Sequence, residues 1–170
     1  MIWIIICILA VVLATVWIAV LYIKRKQEFT EYYYAAYKII KEEYLNDAIK
    51  KVGSLKQHDT IRRMIGIKKI GKGNQSFVFD PEKIVNIGRS QEGNDLRVGD
   101  VRVSGYHCRI FMYQGQIFLE DMQSANGTYV KRGFSTIQVM QPFQLVTGDK
   151  LLLGSQIFQI CIFDFNMMLL

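Results

Sequence analysis

The sequence has few of the residues that build disulfide frameworks and metal sites. Among its 170 residues are three cysteines, two histidines and two prolines. The cysteines, Cys7, Cys108 and Cys161, lie far apart and form no C-x-x-C pair, which excludes the spacing typical of zinc sites. We therefore expect no metal and no cofactor, and we expect the thiols to be free in a reducing compartment.

Charge is absent from the first part of the chain. The 22 residues from Ile2 to Ile23 contain no Asp, Glu, Lys or Arg, and as a helix they would span about 33 Å, enough to cross the apolar core of a bilayer. A cleaved signal peptide would have a basic start and a shorter apolar run, but no basic residue precedes Lys24. The same observation disfavours lipidation at Cys7. The pattern predicts a transmembrane helix over residues 1–23.

Basic residues are concentrated just after this apolar run. Lys24, Arg25 and Lys26 follow it directly. Residues 24–72 contain 13 Lys and Arg against 6 Asp and Glu, a net charge of +7, whereas residues 73–170 contain 8 against 9, a net charge of −1. Basic residues beside a span stay in the cytoplasm and attract anionic lipid head groups. We therefore expect a single-pass protein of the cell membrane with a cytoplasmic C-terminal domain and no nucleic-acid partner.

Residues 24–72 are predicted to form a basic juxtamembrane helical stalk and a linker. Apolar and aromatic side chains recur at three- and four-residue steps across residues 27–52, which is the period of an amphipathic helix. This helix either packs on the membrane surface or on its own domain, or it forms the seam of a homodimer or a docking surface for another membrane protein. Its tyrosine-rich face argues against a regular coiled coil. A helical turn over residues 60–65 and a linker over 71–74 are expected to follow.

From residue 73 to 170 the hydrophobic pattern changes to that of short β-strands. Turn signals such as Asp80-Pro81 and Gln114-Gly115 separate the runs. Many short strands joined by turns predict a mainly β fold, a sandwich of antiparallel-rich sheets. The predicted strands cover residues 77–79, 83–87, 109–113, 116–120, 128–130, 136–140, 151–153 and 156–163.

Small and polar residues cluster where these strands end. Such loops meet at one end of a β-sandwich, so residues far apart in sequence are expected to converge. An arginine, a hydroxyl and an amide suit a doubly charged phosphate on a peptide better than they suit catalysis. The clusters contain Gly88-Arg89, Ser104-Gly105-Tyr106-His107, Ala125-Asn126-Gly127 and Gly148-Asp149.

These spaced motifs resemble the signature of the forkhead-associated (FHA) domain, a phosphothreonine-peptide binding module, over residues 76–164, and the chain is similar to bacterial members of that family. The resemblance implies an FHA-type β-sandwich over residues 73–170. It also implies that Arg89 grips the phosphate, that Ser104 donates its hydroxyl to it and that Asn126 bonds the peptide backbone. Three further residues are expected to support the site: Gly88, His107 and Gly127.

Two positions depart from the family pattern. Gly105 and Ala125 stand where family members often carry side chains that reach the phosphate. Each lost charge-assisted hydrogen bond would remove about 1.5–3 kcal/mol of binding free energy. Lys131 and Arg132, on the following loop, are candidates to compensate or are plain solvated charges. Arg102, close to Ser104 in sequence, is a second candidate.

The patterns together predict a membrane-anchored adaptor that recruits phosphothreonine-containing proteins to the cytoplasmic membrane face. The family resemblance implies a setting in serine/threonine kinase signalling or in control of the cell envelope and division. The alternative is a phosphate-independent structural subunit of a membrane complex, which the two departures favour. We expect no enzyme, because Ser104 lacks the Gly-x-Ser-x-Gly context of a hydrolase nucleophile, although Ser104, His107 and Asp121 form a triad on paper.

Overall fold

The computed structural model describes residues 2–50, 61–71, 73 and 75–166. Within them one helix precedes eleven strands. Residues 51–52 of the predicted stalk helix and positions 72 and 74 of the predicted linker lie outside the described residues. The elements are α1 Ile2–Lys50, β1 Ile61–Ile70, β2 Ser76–Phe79, β3 Val85–Gly88, β4 Leu96–Arg97, β5 Cys108–Tyr113, β6 Gln116–Asp121, β7 Tyr129–Arg132, β8 Ser135–Gln138, β9 Phe143–Gln144, β10 Lys150–Leu153 and β11 Gln156–Asn166.

The strands form a sandwich of two sheets. The six-stranded sheet has the order β2-β1-β11-β10-β7-β8, and the five-stranded sheet has the order β4-β3-β5-β6-β9. Every pairing is antiparallel except that of β3 with β4. This confirms the predicted mainly β sandwich of antiparallel-rich sheets preceded by a helix.

Alternating burial along each strand fills the space between the sheets. On β11, Phe158 and Ile160 point into the sandwich core, while Phe163 and Phe165 lie on the opposite face of the strand. Two predicted turns are confirmed. At the first, the Lys83 amide donates to the Asp80 carbonyl at 3.1 Å. At the second, residues 114 and 115 both have positive φ, 49° and 71°, as a two-residue hairpin turn requires.

The stalk part of α1 packs on its own domain. The outer face of β1 and β11 is covered by the helix, and Tyr32, Ala36 and Ile40 are buried there. The rings of Tyr33 and Phe165 lie 4.6 Å apart. Of the predicted alternatives, the structure favours packing on the protein's own domain, because this apolar face is already covered.

Two ion-pair groups fix the ends of this contact. Near the C-terminal end, Arg62 contacts Glu43 at 2.8 Å and Asp80 at 2.9 Å. Nearer the apolar run, Lys68 pairs with Glu28. The helix is therefore held to the sheet along a stretch from residue 28 to residue 43.

The helical turn predicted for residues 60–65 is wrong for residues 61–65. These residues belong to β1, which pairs with β11 from Ile61 to Ile70 and with β2 on its other side. The six-stranded sheet therefore starts before Gly73, where the sequence placed the start of the domain. A fragment that begins at Gly73 would lack an interior strand.

The apolar half of α1 is not buried against the sandwich. Its large apolar side chains from Ile6 to Ile23 are exposed. Among the described residues, α1 is the one helix that is long and apolar enough to cross a membrane. Length and composition permit a span at the place where the sequence predicts it.

Candidate functional site

Three loops meet at one end of the sandwich. They are the β3–β4 loop (89–95), the β4–β5 loop (98–107) and the β6–β7 loop (122–128). The Arg89 amide donates to the Ser104 carbonyl at 2.9 Å, and the Asn126 side-chain amide donates to the Arg102 carbonyl at 2.7 Å. The structure thus brings together the three predicted contact residues Arg89, Ser104 and Asn126. We call this group the loop cluster.

The Arg89 side chain is positioned by a hydrogen bond at its Nε. Its Nε donates to the Val103 carbonyl at 3.1 Å, and the residue is exposed. Among the described residues the two Nη groups have no hydrogen-bond partner. The guanidinium is therefore a positioned cation whose two Nη groups remain available, and a guanidinium of this kind can bind a phosphate in bidentate fashion.

Ser104 links the β4–β5 and β6–β7 loops through its hydroxyl. Its Oγ accepts a hydrogen bond from the Ala125 amide at 3.0 Å. Because the oxygen serves as the acceptor in this contact, the hydroxyl proton stays available to a ligand. The same bond fixes Ala125, one of the two positions that depart from the family pattern, directly beside the Ser104 hydroxyl.

His107 supports the loop cluster from behind. It is fully buried, and its Nδ1 accepts a hydrogen bond from the Ser104 amide at 3.0 Å. Burial lowers the pKa of His107, while Asp121 and the Gly127 backbone act in the opposite direction. The imidazole is therefore neutral at pH 7, with its proton on Nε2. Since His107 contacts the amide and not the hydroxyl of Ser104, the two residues lack the hydrogen bond of a hydrolase pair.

Two glycines are required by the close approach of these loops. A Cβ at Gly88 would lie 2.1 Å from the Gly105 carbonyl oxygen, so only glycine allows the β3 end to contact the β4–β5 loop. Gly127 has a φ of 75°, and a Cβ there would lie 2.9 Å from the Gln138 side-chain nitrogen. Gly105 itself has room, because its added Cβ would meet only the flexible Ser90 hydroxyl at 2.8 Å.

The three additional basic candidates lie in different places. Arg102 adjoins the loop cluster, is half exposed and pairs with Asp100. Lys131 is exposed and lies opposite Lys150 of β10. Arg132 is paired outside the loop cluster. It lies about 10 Å along β7 from the loop and forms a bidentate pair with buried Asp149, with distances of 2.8 and 2.7 Å.

The acidic residue Asp121 stabilises a turn of the site. This carboxylate accepts hydrogen bonds from the Ser124 amide at 3.0 Å, from the Ser124 hydroxyl at 2.6 Å and from the Thr128 hydroxyl. Partial burial acts to raise the pKa of Asp121, but these hydrogen bonds outweigh it and hold the pKa below its usual value. Asp121 is thus a charged anchor of the β6–β7 loop at pH 7.

Two further residues of the site lie outside the signature motifs and were not predicted from the sequence. Asn94 donates to the carbonyls of Ser90 at 3.0 Å and Gly105 at 2.8 Å, which ties the β3–β4 loop to the β4–β5 loop. Asp100 accepts the Ser155 amide at 2.7 Å and the Arg102 amide at 3.0 Å. Hydrogen bonds from Ser155 first, then from Arg102, hold the pKa of Asp100 well below its usual range.

An antiparallel-rich sandwich with eleven described strands, whose end loops gather an arginine, a serine and an asparagine, defines a class of peptide-binding β-sandwich domains. Within that class, residues 85–154 match the family described as "FHA domain", and this stretch contains every residue of the spaced signature. The chain therefore carries an FHA domain, as the sequence resemblance predicts, preceded by a long apolar helix.

Two curated relatives share this part of the chain, and both are named "Oxoglutarate dehydrogenase inhibitor". The protein of Corynebacterium glutamicum is 32% identical over 91 residues, which cover 54% of this chain and 59% of the relative. That of Corynebacterium efficiens is 31% identical over the same shares. The chain thus spans less than two thirds of the length of these relatives.

Solved structures show the same fold. An FHA domain of an Arabidopsis thaliana hypothetical protein is 22% identical with a TM-score of 0.54, covering 67% of this chain and 94% of that one. The FHA domain of a Chlamydia trachomatis protein is 20% identical with a TM-score of 0.51, covering 57% of this chain and 95% of that one. EmbR of Mycobacterium tuberculosis, solved in complex with a low-affinity phosphopeptide, is 21% identical with a TM-score of 0.50, covering 57% of this chain and 24% of that one.

Proposed function

We propose that the protein is a membrane-anchored adaptor that binds phosphothreonine-containing proteins and recruits them to the cytoplasmic face of the membrane. The observation that carries the proposal is the loop cluster of an FHA domain, where Arg89 and Ser104 each keep a free donor beside one another. Phosphothreonine carries a charge of about −1.5 to −2 and three acceptor oxygens. A positioned cation and a free hydroxyl match that group.

In this proposal each contact residue has a separate task. Arg89 provides the charge, Ser104 donates a neutral hydrogen bond, and Asn126 bonds the peptide backbone through the part of its amide that the Arg102 carbonyl leaves free. Arg102 is half exposed next to them and adds positive potential. The names of the two relatives describe inhibition of an enzyme, which agrees with a regulatory role exerted through binding.

The anchor is residues 2–23, with Lys24, Arg25 and Lys26 at the cytoplasmic side attracted to anionic lipid head groups. It is supported by the exposed apolar side chains of α1, since an apolar surface of this length is unfavourable in water. The basic residues that follow support the orientation. A cytoplasmic domain is accessible to serine/threonine kinases and to machinery of the cell envelope and division, the setting in which we place the adaptor.

The binding step is tested with the full chain in detergent or nanodiscs. Fluorescence anisotropy would compare a degenerate phosphothreonine peptide pool with phosphoserine and unphosphorylated pools. We expect binding confined to the phosphothreonine pool and lost in Arg89→Ala. Arg63→Ala is the matched control, because it removes an equal charge from an exposed pair with Asp164 at the opposite end of the sandwich. Equal capture of the unphosphorylated pool, or binding that survives Arg89→Ala, would contradict the proposal.

The membrane step needs a separate measurement. Carbonate extraction of membranes from cells that express the chain should leave it in the pellet. Protease added to intact spheroplasts should leave the FHA domain uncut. Release into the supernatant would contradict the anchor, and digestion from outside would contradict the cytoplasmic orientation.

A phosphate-independent structural subunit is the second candidate. Gly105 and Ala125 favour it, because neither residue has a side chain that can hydrogen-bond a phosphate. Ala125 lies next to the Ser104 hydroxyl, and Gly105 lies next to the Ser90 hydroxyl. The two candidates differ in one result. Partner capture by the structural subunit would persist in Arg89→Ala, and capture by the adaptor would not.

A further inference from the structure

A cleft of about 640 Å³ lies between α1 and the outer face of the six-stranded sheet, within the size range of small-ligand sites. The helix contributes Leu21, Lys24 and Arg25, and the sheet side contributes Thr147, Gln159 and Cys161. The cleft is on a different face of the domain from the loop cluster and shares no residue with it.

The cleft is closed at one side by the contact that holds the helix. A Cβ at Gly66 would lie 2.9 Å from the Tyr32 ring, so ring and strand are in close contact there, and Glu28 pairs with Lys68 one turn nearer the apolar run. Leu21, Arg25, Glu28 and Tyr32 share one helix face because they follow at three- and four-residue steps. Toward the apolar run, this face therefore separates from the sheet and leaves the open space.

The cleft carries a net positive charge, and two of its cations form no ion pair with the described residues. Three cations and one carboxylate line it, Lys24, Arg25, Lys68 and Glu28, which leaves a net charge of +2. Glu28 forms an ion pair with Lys68. Lys24 and Arg25 are exposed, and neither has an ion pair or hydrogen bond with any residue that the structure describes.

The opposite wall is fixed in place. The Thr147 hydroxyl donates to the Ile162 carbonyl at 3.0 Å and accepts from the Ile162 amide at 2.8 Å. The Gly148 amide donates to the Ile160 carbonyl at 2.9 Å. The turn between β9 and β10 is thereby clamped to β11, so the wall opposite Arg25 is preformed.

The position of the cleft along α1 selects the ligand. Leu21 belongs to the apolar run, which ends at Ile23, and Lys24 and Arg25 are the first charged residues after it. A cleft at this level coincides with the phosphate layer of the leaflet in which the run ends. A group bound there meets cations at its head and apolar side chains on its bilayer side.

We infer that this cleft binds the head group of an anionic phospholipid of the cytoplasmic leaflet, with its phosphate on Lys24 and Arg25 and its acyl chains along the apolar run. The inference rests on the membrane anchor proposed above. A lipid bound between the helix and the β9–β10 turn would hold both elements, and so would set the distance of the FHA domain from the bilayer surface.

Native mass spectrometry of the full chain in detergent tests this. The probes are phosphatidylglycerol, phosphatidylcholine and glycerophosphate, the last offering the phosphate without acyl chains. We expect one phosphatidylglycerol per chain, retained about tenfold better than phosphatidylcholine, and no retention of glycerophosphate. Arg25→Gln should abolish the preference, whereas Lys38→Gln, which removes the same charge from an exposed residue of α1 outside the cleft, should keep it.

A second pair of variants separates the cleft from general attraction to a basic helix. Gln159→Glu adds a carboxylate to the sheet wall and should abolish the preference for phosphatidylglycerol. Thr136→Glu adds the same charge on exposed strand β8 and should leave it intact.

Each of the opposite results would overturn the inference. One such result is equal retention of the two lipids, and another is equal loss in Lys38→Gln and Arg25→Gln. A third is no effect of Gln159→Glu. A fourth is retention of glycerophosphate alone, which would mean a site for a soluble anion. Carbonate extraction distinguishes this failure from failure of the anchor. A chain that stays in the membrane pellet but shows no lipid preference keeps the proposed function and loses the cleft.

Discussion

Replacing Ser104 by alanine should weaken phosphopeptide binding far more than it weakens the fold. Two contacts depend on this side chain. Its Oγ accepts the Ala125 amide at 3.0 Å, and in the proposed complex its hydroxyl donates to the phosphate. Ala125 is exposed, so water can replace the first contact, at a net cost of about 0.5–1.5 kcal/mol in the free energy of unfolding. The second is a hydrogen bond to a charged group, whose loss costs about 1.5–3 kcal/mol, or roughly 10- to 150-fold in Kd.

The assay has two readouts on the same full-length protein. Anisotropy with the phosphothreonine pool gives the Kd, and thermal unfolding in the same detergent gives the stability. Ser124→Ala is the matched control, because its hydroxyl donates to Asp121 at 2.6 Å and serves the β6–β7 loop alone. We expect Ser124→Ala to lower the Tm by a similar amount but to leave Kd within about threefold. A Kd for Ser104→Ala within about twofold of wild type, or an equal loss in both variants, would refute the assignment of Ser104 to the phosphate.

Three further predictions follow from the packing of the domain. Gly88→Ala should cost about 1–3 kcal/mol of stability and abolish peptide binding, because its Cβ would lie 2.1 Å from the Gly105 carbonyl; a Tm and Kd equal to wild type would contradict the close approach. Because burial lowers the pKa of His107, the unfolded chain takes up that proton at a higher pH than the folded chain does. The stability that neutral His107 provides should therefore be present above about pH 6.5 and be lost as the pH falls below it. Urea unfolding at about pH 7.5 and about pH 5.5 should show this loss, and His107→Gln should show a smaller one. Ala36→Glu would bury a carboxylate between α1 and the sheet at a cost of about 3 kcal/mol. Hydrogen exchange should then show lost protection over residues 32–43 while phosphopeptide binding persists, and unchanged protection would count against the helix contact.

Most of the sandwich could be predicted because its strands obey simple alternation. β5 and β6 bury every second residue and enclose a turn whose Gln114-Gly115 pair is visible in the sequence. β4 and β9 could not be predicted, since each has only two residues. A run of two residues is too short to show the alternation of apolar and polar side chains that marks a strand.

β1 was missed for a different physical reason. It is covered on one face by the sandwich core and on the other by α1, so Met64, Ile65 and Ile67 are all fully buried and the alternation of a half-exposed strand is lost. Its basic residues suggested a solvated helical turn. In the structure Arg62 and Lys68 instead reach acidic partners on α1, which a sequence without that helix contact does not reveal.

The predicted contact residues Arg89, Ser104 and Asn126 could be selected from the sequence because they belong to a spaced signature of polar residues between strands. The structure brings these three residues together. Asn94 and Asp100 could not be found, because the bonds that tie them into the site reach other loops, to Gly105 and to Ser155. Asp100 bonds Ser155, a contact that exists only when the β4–β5 loop meets the β10–β11 turn. The pairing of Arg132 with Asp149 could not be predicted either, since nearness in sequence to Gly127 does not show that β7 carries Arg132 away from the loop.

The continuity of α1 has a mechanical consequence. No glycine or proline interrupts residues 2–50, and the same helix that enters the bilayer in our proposal is fastened to the sheet by ion pairs at Glu28 and Glu43. A module on a flexible tether sweeps a wide volume and raises its encounter rate with partners at many heights. In our proposal this domain instead moves as one rigid body with its anchor. Under the same proposal, the domain therefore reaches partners only at a constant height above the lipid surface, and it does not bind a phosphothreonine presented outside that range, whatever its sequence.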